Sequence, residues 1–142
     1  MLVLTLLTAG RAMTLAFIPK IGSHGAGAPP EAWLMPLIGD AAIGLSALGV
    51  AYVISRRAGL WAWTLVVVWS ALAIWDALAA FLVNVSNPWP EFFMLQTFGS
   101  SMFFAAAIMH AVILYLACTQ EVRCKLLGAA GCNATAQMAE CG

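Results

Sequence analysis

Four long apolar blocks divide this chain: residues 2–18, 33–54, 60–83 and 92–118. Each is close to the roughly 20 residues that an α-helix needs to cross the hydrocarbon core of a bilayer, with about 17 to 25 allowed for tilt. The first block is the shortest and carries a charge, Arg11. A signal peptide has its positive charge before the apolar region and a small-residue cleavage site after it. Here the charge lies inside the block and no such site stands before Pro29, so the block reads as a first transmembrane helix.

The polar punctuation between blocks has physical causes. Pro19 and the stretch IGSHGAGAPPE cannot continue a helix, because proline lacks an N–H donor and glycine is entropically costly to order. SRRAG (55–59) is a short hydrophilic turn, which makes the second and third helices antiparallel neighbours. NVSNPWPE (84–91) holds two prolines and two asparagines and closes the third helix. Pro36 falls in the first turn of its helix, where a missing N–H costs little. The expected fold is all-α: a polytopic integral membrane protein, a four-helix transmembrane bundle over residues 1–125 with a short cytoplasmic tail at 126–142.

Composition removes the soluble alternative. The chain has 142 residues, 63% of them hydrophobic and 8% charged, and formal net charge is zero. An ordinary soluble domain carries about 25% charged residues to cover its surface. Charge also orients the bundle. Arg56, Arg57, Arg123 and Lys125 fall on one side of a four-span arrangement and Lys20 on the other. Basic loops stay cytoplasmic, so both termini and the 55–59 turn are expected inside, with residues 19–32 and 84–91 outside. Trp33 and Trp89 fit the outer interface, Trp61 and Trp63 the inner one, while Trp69 and Trp75 lie deeper and read as packing residues. The cysteines at 118, 124, 132 and 141 then sit on the reducing side, and their spacing matches no C-x-x-C metal pattern.

Against this background the intramembrane polar residues stand out. Counted from the outer helix ends at about 1.5 Å per residue, Asp40 is roughly 10 Å deep, and Arg11 and Asp76 about 12 Å. Ser100 falls near the same level and Gln96 one turn above it. A lone arginine or aspartate at mid-helix costs about 2.5 to 3.5 kcal/mol, so the three charges are expected to face one another inside the bundle. Two carboxylates and one arginine leave one negative charge in excess, which points to a protonated aspartate, a bound cation or a water-filled cleft. Gln96, Ser100, Ala107 and His110 recur on one face of the last helix, and Gly39, Ala42, Ser46 and Gly49 on the second permit close helix approach. The spacing predicts a polar pocket open toward the outer side and narrowing to an apolar inner half, with Arg11, Asp40, Asp76, Gln96 and Ser100 as ligand, proton or ion site.

His110 lies in the inner half, in AAAIMHAVIL, with an alanine four residues before it and a leucine four after. That spacing resembles the bacteriochlorophyll-ligating helix of antenna polypeptides, where a small residue makes room for the ring. The resemblance covers a few residues of one helix and implies a pigment or haem at His110. A second haem-binding histidine is not provided, because His24 falls in the outer loop. A hydrogen-bonded packing histidine is the competing expectation, and no other cofactor or metal is expected.

No Walker loop, G-x-G-x-x-G, H-E-x-x-H or G-x-S-x-G is present, so the reading leans away from an enzyme. No basic patch for nucleic acid is present either. The functional expectation is a small membrane protein that binds or transports a small ligand, proton or ion through the buried cluster. A non-catalytic accessory subunit of a larger membrane complex, and a pigment- or lipid-binding protein, are the alternatives. Expected partners are membrane lipid, a small-molecule ligand, and further copies of the chain or subunits of a membrane complex.

Overall fold

A computed structural model of the protein describes residues 1–23 and 28–127. Every regular element among them is helical: α1 (Leu2–Thr8), 3-10 turns at Ala9–Ala16 and Ile18–Lys20, a 3-10 turn at Glu31–Trp33, α2 (Leu34–Arg56), α3 (Leu60–Ser86), α4 (Phe93–Phe98), α5 (Ser101–Cys118) and α6 (Gln120–Leu127). Four helical stretches are long and apolar enough to cross a membrane: Leu2–Lys20, Glu31–Arg56, Leu60–Ser86 and Ser101–Cys118.

Two of the four depart from the expected continuous α-helix. The first winds as α-helix only to Thr8 and then tightens into 3-10 geometry. A 3-10 helix rises about 2.0 Å per residue against 1.5 Å for α, so this short segment reaches roughly 30 Å or a little more. The block that looked short by residue count is therefore long enough in space. The fourth breaks at Gly99, whose φ of +57° suits glycine and ends α4, with its N–H bonded to the Leu95 carbonyl at 2.8 Å. Ser100 is the turn between α4 and α5.

Large apolar side chains cover much of the outer surface as well as the interior. Val3, Met35, Leu48, Leu72, Leu82, Ile108 and Tyr115 are exposed, whereas the interior combines alanines with aromatic and aliphatic side chains. One core cluster gathers Ile43, Ala47, Val50, Val66, Trp69, Ala73, Ile113 and Ala117. The other, toward the proline-rich loops, gathers Trp33, Leu37, Ala80, Trp89, Phe92 and Phe103. Trp33 and Trp89 are thus buried partners in an edge-to-face pair with centroids 5.7 Å apart, not surface anchors. Trp69 packs inside as expected, its indole N–H donating to Ser46 Oγ at 2.9 Å. Trp75 does not: it is 73% exposed, because the α3 face that carries it looks away from the other helices.

Close helix approach depends on a glycine that the small-residue line missed. A Cβ on Gly44 would collide with the backbone nitrogen of Ala12, so α2 crosses the 3-10 segment at backbone contact. Gly39 is also required, since a Cβ there would strike the Asp76 carboxylate. Gly49, by contrast, has open space around it. Beyond α5 the chain continues into α6, a short helix not among the four expected ones, whose last two residues reach into the expected tail at 126–142. Cys118 is exposed and free, but Cys124 is disulfide-bonded, against the expectation of reduced thiols throughout. Pairing depends on Cα separation in space, which sequence gaps do not report. Cys132, Cys141 and the remainder of the tail lie outside the described residues, as does His24.

Candidate functional site

The site begins with the 3-10 turn that carries Arg11. Thr14 Oγ1 donates to the Arg11 carbonyl at 2.8 Å and to the Leu37 carbonyl of α2 at 3.2 Å. The turn is thereby fixed to α2, and the contact at Gly44 sets its distance. On α2, Asp40 stands between Leu37 of one core cluster and Ile43 of the other; on α3, Asp76 stands between Ala73 and Ala80. The charged layer separates the two apolar cores.

There the three charges meet. Arg11 Nε donates to Asp40 Oδ1 at 2.5 Å, and Nη2 donates to Asp76 Oδ2 at 2.5 Å. Nη2 also pairs with Asp40 Oδ1. The arginine side chain is 13% exposed, Asp40 24% and Asp76 14%. A planar guanidinium with several fixed donors can serve two carboxylates at once, which an ammonium on a flexible stem does poorly. One donor is left over: Nη1 is buried and has no hydrogen-bond partner among the described residues.

A cavity of about 160 Å³ adjoins this layer. Arg11 and Asp40 supply its polar wall, while Ala80, Met94, Met102 and Phe103 are among its apolar walls. Its volume is similar to that of engineered apolar cavities, about 150 Å³, that admit a benzene ring. An arginine donor and a carboxylate acceptor on one side, with methyl groups and an aromatic ring on the others, suit a small molecule with one polar end.

Gln96 and Ser100 do not join this layer. Both are exposed, and Ser100 Oγ instead accepts from Asn84 Nδ2 at 3.4 Å. Their expected depth and face require an unbroken helix from Phe92. The break at Gly99 cancels that register and brings Met94 and Met102 to the cavity instead. The Gly-Ser-Ser run at 99–101 was the available signal.

His110 is separate from the cluster and fully enclosed. Its ring meets Trp69 edge-on with centroids 4.9 Å apart, and neither ring nitrogen has a hydrogen-bond partner among the described residues. It is a packing histidine without the hydrogen bond expected of it, and its ring has no face open to a macrocycle. Replacing an unsatisfied buried polar group by an apolar one of similar shape is close to neutral or stabilising. His110→Leu is therefore expected to leave thermal stability in detergent unchanged or raised, measured by differential scanning fluorimetry. A loss on the scale of about 2 kcal/mol would show that the imidazole has a partner.

No family model, curated protein or solved structure matches the chain.

Proposed function

We propose that the chain is a four-span integral membrane protein that binds a small, ring-sized amphiphile beside Arg11. The observation that carries this reading is the Arg11–Asp40 pair on the wall of an otherwise apolar cavity. A ligand hydroxyl or primary amide can accept from the Arg11 guanidinium and donate to Asp40 on the cavity wall. The carboxylate in excess of the arginine favours a ligand group that donates a hydrogen, and the same excess supports a proton or small cation as a second occupant. The methionine, alanine and phenylalanine walls take the apolar body. Membrane insertion supplies the reason for pairing all three charges internally, since no water is at hand to solvate them.

Benzamide is a suitable probe, with toluene as its apolar counterpart. Ala106 lines the cavity, so Ala106→Phe fills it from the α5 side. Calorimetric titration of the protein in nanodiscs is expected to show saturable benzamide binding that Ala106→Phe abolishes. Toluene should bind about tenfold or more weakly, because it leaves charged donors and acceptors unpaired. If benzamide shows nothing beyond lipid partitioning, the buried charges are a structural clamp and the accessory-subunit reading takes the place of this one.

A further inference from the structure

The opposite end of the bundle carries a second cavity of about 530 Å³, which the Arg11 layer does not touch. It lies between the end of α2 and the turn that follows, α6, and Met1 and Leu2. Arg56, Arg57 and Lys125 line it together with Ile54, Val122 and Leu126. From this geometry we infer a site for the phosphodiester headgroup of an anionic phospholipid. The inference rests on the membrane reading but not on the ligand proposed at Arg11.

Charge supports it first. Arg56, Arg57, Arg123 and Lys125 gather at this end with only Glu121 among the described acidic residues. Every salt bridge found among the described residues belongs to Arg11, so the cations of this cavity have no carboxylate partner. Three unpaired cations around one concavity form a phosphate site, and arginine is the residue that binds phosphate through two parallel donors.

Position supports it second. The candidate spans Glu31–Arg56, Leu60–Ser86 and Ser101–Cys118 all have an end here, so the cavity opens where apolar span gives way to water. Ile54, Val122 and Leu126 line the same cavity and offer apolar surface to the first acyl methylenes. Basic pockets between helices at such a boundary are where anionic headgroups bind.

The walls are also held in place. The Gly59 N–H donates to the Leu126 carbonyl at 2.6 Å, tying the α2–α3 turn to α6. Gly59 has φ of +136°, which a side chain would resist, and this directs its N–H toward α6. Arg123 stacks over Trp63 at 5.9 Å, and the Trp63 indole N–H donates to the Ala117 carbonyl at 3.0 Å. The first contact holds α6 to α3 and the second holds α5 to α3. A volume of this size falls within the roughly 300 to 1,000 Å³ of ordinary ligand pockets and accommodates a glycerophosphate group.

Native mass spectrometry of the detergent-solubilised full chain tests this, with phosphatidylglycerol and phosphatidylcholine of identical acyl chains as probes. Each cation near a lipid surface contributes about a fivefold change in affinity, so the expected preference for phosphatidylglycerol is roughly 100-fold. Arg56→Gln, Arg57→Gln and Lys125→Gln should each reduce it about fivefold, and Lys20→Gln at the other end should not. Arg56→Lys with Arg57→Lys keeps the charge and should keep most of the preference, which separates loss of charge from loss of fold. Equal binding of both lipids, or a preference that survives the single neutralisations, overturns the site. Displacement of the lipid by equimolar inorganic phosphate overturns the commitment to a lipid in favour of free phosphate. Alkaline extraction separates this from the underlying reading: a chain washed off membranes refutes both, and a retained chain without headgroup preference refutes the lipid site alone.

Discussion

Arg11→Leu is expected to destabilise the protein by about 3 to 5 kcal/mol, the usual cost of removing one partner from a buried ion pair. Arg11 serves both Asp40 and Asp76, from two different helices, so its loss leaves two buried carboxylates facing each other. Asp40→Asn or Asp76→Asn should cost less, because the arginine keeps one charged partner in either case. The double variant Arg11→Leu with Asp40→Asn should recover part of the loss, since contacting residues couple by about 0.5 to 3 kcal/mol. Arg11→Lys should recover only part as well, because an ammonium lacks the planar fork that reaches two carboxylates. Reversible unfolding in mixed micelles reads all of these. Strict additivity of the Arg11 and Asp40 changes would mean that the two side chains do not interact.

The second large effect is expected at Gly44. A Cβ there meets the backbone of Arg11 and Ala12, which cannot rotate aside as a side chain would. Gly44→Ala should therefore push the 3-10 segment off α2 at a cost of about 1 to 3 kcal/mol, and Arg11 should move with it. Gly49→Ala is the matched comparison. Open space surrounds that position, so the better helix propensity of alanine should stabilise by up to about 1 kcal/mol. Opposite signs at two glycines of one helix, five residues apart, would locate the crossing point. A similar small gain at both would mean that α2 and the first segment do not touch at Gly44.

These two glycines also show where the sequence was legible and where it was not. The meeting of Arg11, Asp40 and Asp76 could be read because charges in an apolar block have few alternatives to facing one another, and approximate depth was enough to group them. Finer placement required an unbroken helical register. Gly99 interrupts that register, so Gln96 and Ser100 were assigned to a layer they do not reach, and Met94 and Met102 were missed. The 3-10 winding of Ala9–Ala16 has no strong signature, since AGRAMTLA contains nothing that forbids an α-helix. Spacing of small residues marked Gly39 correctly, but Gly44 lies off that line and is required by a crossing that depends on the 3-10 segment. The exposure of Trp75 has a similar origin: hydropathy does not distinguish a tryptophan on the outer face of an apolar helix from a packed one. At the basic end, α6 is too short and too charged to register as an apolar block, and its placement depends on the hydrogen bond from Gly59 N–H to the Leu126 carbonyl.

Met94 and Met102 on the cavity wall make the central claim directly measurable. With methionine methyl groups carrying ¹³C, benzamide titrated into the protein in nanodiscs should shift the Met94 and Met102 resonances saturably and leave the exposed Met35 unmoved. Toluene should shift them only at about tenfold higher concentration, and Asp40→Asn, which keeps the side chain's shape, should narrow that difference. Equal response to the two probes, or movement of Met35 alongside the cavity methionines, would contradict a ligand site beside Arg11.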